Sequence, residues 1–316
     1  MDFTFTSEQG DLRTLVRDFL SQHKVRAREA GSFDAALWRR LSTELGLIGL
    51  ATDPSLGVEL AIVLEETGRS LLALPYLSTV VAAQFLPDFD GESVAALSLG
   101  EGLAVRDGAI TGTVDGVLDG DVATLAVVAA DDQLYAVPLD GAARTPVSTL
   151  DPSRPGATLR FSGQPATQLA ATPDQARDAL HLALAVESLG VAGASLELTI
   201  EYLKTRHQFG VALATFQALR HRVADLAVTL EAATSTTWYA VRSSVEERSI
   251  TAPLAKLVAA DAAYGVTAES IQLHGGIGFT WEHDAHRYFK RATVTRLTHG
   301  DPVALRRILG HHAGII

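Results

Sequence analysis

Arg206-His207-Gln208-Phe209-Gly210 and, further along, Gln272-Leu273-His274-Gly275-Gly276-Ile277-Gly278 are the two stretches whose joint reading decides the fold. In the first, the Arg206 guanidinium offers a two-pronged fork suited to a phosphate. Gln208 can both donate and accept, and Phe209 offers a flat face for a ring. In the second, glycines at 275, 276 and 278 let backbone N–H groups approach a ligand with no side chain in the way. Gln272 and His274 can hydrogen-bond to the same ligand. Each stretch alone has a plainer reading, as a surface arginine before a helix-ending glycine or as an ordinary glycine-rich turn. Their weight lies in their order and in the helical sequence between and around them.

Upstream, Thr172-Pro173-Asp174-Gln175 announces a helix: Thr caps, Pro suits the first helical position, and Gln reaches back. That helix runs to about Thr205. The next spans about Thr215 to Glu246, with Phe216, Leu219, Val223, Leu226, Leu230 and Ala233 recurring three and four residues apart, the packing stripe of a long-helix bundle. A third starts near Pro253 and reaches about Leu273, and shorter helices cover about 283–291 and 302–310. Between about Ser93 and Gly163 the texture is different. Runs of β-formers at 94–99, 109–114, 122–130, 134–139 and 157–161 are punctuated by Gly and Asp, which predicts small antiparallel sheets. The first 90 or so residues read helical. Thr6 and Gln9 form a capping box, Leu37, Leu41, Leu45 and Ile48 sit at helical spacing, and a helix over 58–72 is expected to keep Glu65 and Glu66 on its wet side and to end at Pro75. The expectation is an α+β fold: a helical domain over 1–91, a β-domain over 92–170 and a C-terminal helical bundle over 171–316.

Composition narrows the function classes. A chain of 316 residues that is 47% hydrophobic and 20% charged suits a soluble globular protein with a sizeable core. The formal charge of −11, without any run of Lys and Arg, argues against nucleic acid as a partner. With no cysteine, there is no disulfide, thiolate metal site or Cys nucleophile. His311-His312 have no further ligands nearby in sequence, so no metal site is expected. The first residues lack a basic and then apolar leader, and the apolar run at 122–130 is too short to span a bilayer, so the expected location is cytoplasmic and away from membranes.

Taken together, the motifs resemble the acyl-CoA dehydrogenase family. Tyr202-x-x-x-Arg206-x-Gln208-Phe209-Gly210, Phe216-Gln217-Ala218-Leu219-Arg220-His221 and Gln272-x-His274-Gly275-Gly276-x-Gly278-Phe279-Thr280-Trp281-Glu282 are similar to that family's C-terminal domain. Leu45–Leu50, Val63–Arg69 and Leu150–Arg154 carry weaker family-like phrases. The resemblance implies a tetramer that binds FAD between subunits. Arg206, Gln208, Phe209, Gln272, His274, Gly275 and Gly276 would hold the pyrophosphate and adenine end. It also implies that a carboxylate removes the α-proton of an acyl-CoA thioester, that a hydride passes to the flavin, and that electrons leave to an electron-transfer flavoprotein.

The chain departs from the family on one side of that flavin. The stretch that opens the family's β-domain cradle is shortened here to Ser98-Leu99-Gly100-Glu101-Gly102. The strand that carries an aromatic and a hydroxyl is here Gly116-Val117-Leu118-Asp119-Gly120. The family's Tyr-Glu-Gly-Thr aligns with Thr298-His299-Gly300-Asp301, which puts an imidazole in place of the carboxylate. A subgroup with its base on the first long helix would place it at Leu180-His181, again without a carboxylate. Removing a weakly acidic proton needs a positioned base of matched pKa. No catalytic residue is therefore assigned. The resemblance is to the short, non-catalytic subunit of heterotetrameric (α2β2) acyl-CoA dehydrogenases of the actinobacterial type. This implies a catalytic partner subunit that binds the acyl-CoA, with a bulky steroid side chain among the substrates. The alternatives are a self-sufficient homotetramer with a substitute base, His299 or an unrecognised carboxylate, and a purely structural scaffold.

Overall fold

The computed structural model describes residues 4–25 and 27–315. Close contacts gather the chain into two units, one made of Met1–Gln22, Ala61–Leu71 and His181–Ile316, the other of His23–Leu60 and Leu72–Leu180.

Helices α1 (Ser7–Gln22), α2 (Ala35–Arg39), α3 (Gly49–Thr52), α4 (Gly57–Ser70) and α5 (Tyr76–Ala83) come first in the chain. Thr6 and Gln9 form the expected reciprocal cap on α1. The leucine run at 37–48 is not one helix: after α2 it widens into a π-helical turn at Arg40–Glu44. Pro75 does not end α4. That helix stops at Ser70, where Leu71 turns left-handed at φ 52°, and Pro75 instead sits at the N-cap of α5. Nor are both glutamates of α4 wet. Glu66 is 1% exposed and takes charge-assisted bonds from Arg13 and Arg17, with Arg69 at 3.6 Å. Three arginines repay the cost of burying its charge, a compensation that apolar periodicity does not reveal.

Strands β1 (Ala95–Ser98), β2 (Leu103–Arg106), β3 (Ala109–Leu118), β4 (Leu125–Ala130), β5 (Gln133–Pro138), β6 (Ala143–Val147), β7 (Gly156–Pro165) and β8 (Thr167–Gln168) form two four-stranded sheets, ordered β1-β4-β5-β8 and β2-β3-β7-β6. Every pairing is antiparallel except β1 with β4, which run parallel. Strands β2 and β6 are short, and β6 is mostly exposed, so neither carries the apolar alternation that a sequence pattern needs.

The remaining elements are α6 (Pro173–Thr205), the two-residue strands β9 (His207–Gln208) and β10 (Val211–Ala212), α7 (Gln217–Val241), α8 (Arg248–His274), α9 (Ala285–Leu297) and α10 (Pro302–His312). The Thr172–Gln175 cap forms as its sequence predicts. Helix α8 begins a turn earlier than expected, with Pro253 inside it rather than at its start. Helix α6 is long and apolar enough to cross a membrane, but 78% of its most apolar window is buried within the protein, as befits a core helix. It is apolar nearly all round because other helices surround it. Gly190 and Gly68 let α6 and α4 approach closely: a Cβ on Gly190 would collide with the Glu65 carbonyl and one on Gly68 with the Glu187 carbonyl. The core of this unit includes Leu71, Val191, Leu196, Ala263 and Val266, and Val223, Leu226 and Leu230 of the α7 stripe pack against it.

Candidate functional site

Helix α6 ends where its last turn runs into a tight hairpin. The Arg206 amide still bonds the Tyr202 carbonyl at 2.8 Å, and the Leu213 amide returns to the Arg206 carbonyl at 2.8 Å. Strands β9 and β10 pair Gln208 with Val211, leaving Phe209 and Gly210 as a two-residue turn with φ 56° and 81°. That geometry is the doubly left-handed turn favoured in hairpins, in which Gly, Asn and Asp are the usual residues. A phenylalanine there is strained, and its side chain is 91% exposed. Arg206 and Gln208 are exposed as well, and Arg206 forms no ion pair among the described residues.

The second motif emerges beside the first. Tyr202, one turn before Arg206, lies 4.5 Å from the ring of His274, one residue before Gly275. A buried 2.7 Å bond from Thr199 to Ser270 fastens α6 to α8 at the same level. Gly275 ends α8 at φ 63°, ψ −143°, a conformation essentially reserved for glycine. Around Gly275 and Gly276 there is open space where a Cβ would stand. Gly278 differs: it is buried, and a Cβ there would come within 2.9 Å of the Ile271 carbonyl, so its role is packing. Gln272 stands exposed with Gly275 and Gly276, but His274 does not. It is 3% exposed, its Nδ1–H donates to the Ser270 carbonyl at 2.7 Å, and its ring lies 4.4 Å from that of His283. Burial lowers its pKa, and His283 pushes in the same direction. In this geometry His274 supports the glycine turn from beneath.

The Thr298–Asp301 turn links α9 to α10 and is held by its backbone. Lys256 donates to the carbonyls of Thr298 at 2.5 Å and Gly300 at 2.6 Å, and His181 Nε2 donates to the His299 carbonyl at 2.8 Å. Both donors are buried, Lys256 fully. Burial pulls the Lys256 amine down to about 8, and Asp301 opposes that shift. His299 and Gly300 have φ 51° and 113°. Asp301 is spent as the cap of α10, accepting from the Val303 and Ala304 amides. Glu187 is locked in a buried pair with Arg291 at 3.0 Å. His181 and His299, 118 residues apart, thus meet at one turn, and Lys256, which the sequence reading passed over, completes it. A lone lysine in an apolar helix is the signal that could have pointed there.

On the β-domain, the end of β3 is closed by charge. Asp119 (φ 56°) and Asp121 both take bonds from Arg28 at 2.8 Å, and Ser78 donates to Asp119 at 2.6 Å. All three charged groups are buried, and burial raises the Asp119 pKa despite Arg28. Among the described residues, no cluster of three or more His, Asp or Glu side chains could hold a metal.

Comparison with known proteins identifies the family. The model of the acyl-CoA dehydrogenase C-terminal domain matches residues 178–314. Acyl-CoA dehydrogenase IpdE2 of Mycobacterium tuberculosis is 38% identical over 298 residues, covering 90% of this chain and 91% of that protein. The chain belongs to the acyl-CoA dehydrogenase family. Among solved structures, the ChsE4-ChsE5 complex from Mycobacterium tuberculosis matches with a TM-score of 0.88 and 26% identity over the whole of both chains. The Tcur3481-Tcur3483 steroid acyl-CoA dehydrogenase variant matches at 0.88 and 27%, covering 97% of this chain and 98% of that one. Members of this family are FAD-dependent. The groups present suit that cofactor unevenly. Arg206, Gln208, Gln272 and the open Gly275–Gly276 backbone are exposed donors of the kind a pyrophosphate needs. The β3 end offers neither aromatic nor hydroxyl, and its carboxylates Asp119 and Asp121 are both committed to Arg28, Asp119 to Ser78 as well.

Proposed function

We propose that this chain is the non-catalytic subunit of a heteromeric, FAD-dependent acyl-CoA dehydrogenase, supplying the adenine and pyrophosphate side of a site whose base and ring cradle belong to a partner subunit. The observation that carries this reading is the Thr298–Asp301 turn, braced through three carbonyls and bearing an imidazole where the family resemblance puts a carboxylate. Bound FAD would supply the hydride acceptor for α,β-desaturation of the thioester. Within this chain, Arg206 would grip the pyrophosphate with two parallel bonds, Gln208 and Gln272 would bond the ligand's polar edges, and the 275–276 backbone would approach it closely. His274 would hold that backbone in place. The α-proton would be taken by the partner's carboxylate, and electrons would pass to an electron-transfer flavoprotein.

Likeness to a steroid acyl-CoA dehydrogenase and to the ChsE4-ChsE5 complex supports a paired assembly, and with it a bulky steroid side-chain thioester as substrate. The experiment is expression of this chain alone and together with a family member that has an intact Glu-Gly-Thr. The chain alone should be colourless and inactive, and the pair should be a yellow, active heterotetramer. A yellow, active homotetramer would overturn the proposal in favour of a His299 mechanism.

A further inference from the structure

A cavity of about 790 Å³ opens on the β1-β4-β5-β8 sheet, and the flavin reading makes no use of it. That volume falls within the roughly 300–1,000 Å³ of small-molecule sites. All of its lining belongs to one compact unit, and the motifs at 206–210 and 272–278 belong to the other. Its floor is one face of the sheet. Ala136 pairs with Val127, two residues along β4 from Leu125, and alternate residues of a strand share a face. Leu125 and Ala136 are only half-buried, so the sheet is not fully covered there. The segment that leaves α5, at 84–90, and the one that leads from β8 into α6, at 167–171, form the walls. Phe85 and Phe89 bring half-buried rings to the first wall. The charge here has one sign: Asp88 and Asp90 line the cavity, and no Lys, Arg or His does. Asp90 is committed, accepting from the Glu92 and Ser93 amides and the Ser93 hydroxyl at 2.9 Å each. Asp88 is exposed, and its side chain has neither hydrogen bond nor ion pair among the described residues.

A ligand with phosphates, whether a nucleotide or a CoA thioester, would meet like charge at this mouth. A cation with an apolar body meets the opposite charge, and its hydrocarbon displaces water from the floor. We propose that this cavity is a binding site for a small organic amine that carries a ring body. The ammonium pairs with Asp88, the free carboxylate at the mouth. The Phe85 and Phe89 rings add attraction for a cation held near their faces. The ring body packs on Leu125 and Ala136, where apolar surface is open to it.

The site is tested by calorimetric titration of the full chain with tryptamine, tryptophol and indole-3-propionate, which share one ring body and differ in charge. Tryptamine should bind with a dissociation constant below about 1 mM, tryptophol at least about tenfold more weakly, and indole-3-propionate more weakly still. Asp88→Asn should bring tryptamine to within about twofold of tryptophol and leave tryptophol itself unchanged. Position 88 has φ 53°, which asparagine tolerates as aspartate does, so this variant keeps the fold. Ala136→Trp fills the floor and should weaken tryptamine and tryptophol alike by about tenfold or more. The Asp88→Asn comparison keeps the test decisive if that variant misfolds. Absence of tryptamine binding at about 10 mM would overturn the proposal. So would equal affinity for tryptamine and tryptophol, a preference for indole-3-propionate, or indifference to Asp88→Asn. None of these outcomes depends on a partner subunit or on flavin.

Discussion

The α9–α10 turn and the end of α6 with its glycine neighbour are built in opposite ways. The first is held by buried donors at every carbonyl from 298 to 300. The second puts Arg206, Gln208, Phe209 and Gln272 into open surface. The braced turn belongs to a region whose shape matters to the fold itself. The bare end carries strain and exposed apolar area that the isolated chain has no use for, which is the physical mark of a surface meant to be covered.

That contrast can be broken from its braced side first. Lys256→Met should leave the Thr298 and Gly300 carbonyls buried and unsatisfied, a loss of about 2–5 kcal/mol in urea denaturation. A change below about 0.5 kcal/mol would mean that the turn is not held as described. On the bare side, Arg206→Ala should weaken flavin retention in the assembled enzyme by about ten- to a hundredfold, the worth of a charge-assisted phosphate contact, with the melting temperature of the isolated chain unchanged. Unchanged flavin occupancy would favour a scaffold.

The third prediction sharpens the comparison through pH. The folded state holds Lys256 at about 8, below its ordinary value of 10.5. Between those values the unfolded chain binds the proton and the folded chain does not, so the Lys256 contribution to stability rises as pH climbs from 8 toward 10.5. The slope approaches about 1.4 kcal/mol per pH unit in mid-window. It is read as the wild-type denaturation midpoint against pH, minus that of Lys256→Met. A flat difference would show the amine to be solvated. The smallest effect belongs to His299: His299→Ala should change turnover of the assembled enzyme by less than about twofold if the partner holds the base. A loss of several orders of magnitude would make His299 catalytic.

Much of this was legible in the sequence because it is local. The Thr6–Gln9 and Thr172–Gln175 boxes, the α7 stripe and the two motifs each depend on residues a few positions apart. What stayed hidden depends on distant partners. Glu66 reads as solvent-facing until three arginines surround it. Lys256 reads as one polar position in an alanine-rich helix until two carbonyls from the 298–300 turn meet it. His274 reads as a surface ligand group until Tyr202, Ser270 and His283 enclose it. Strands β2 and β6 escape because they are only four and five residues long and their order is set by β3 and β7, not by their own pattern.

The bracing of the 298–301 turn runs through main-chain oxygens, and every residue type has one. The bonds from His181 and Lys256 to residues 298–300 go to their carbonyls. What that brace asks of residue 299 is a carbonyl and a left-handed φ. An exchange of carboxylate for imidazole at 299 would leave those carbonyl bonds available, so the brace fixes the path of the main chain and not the chemistry that the turn displays.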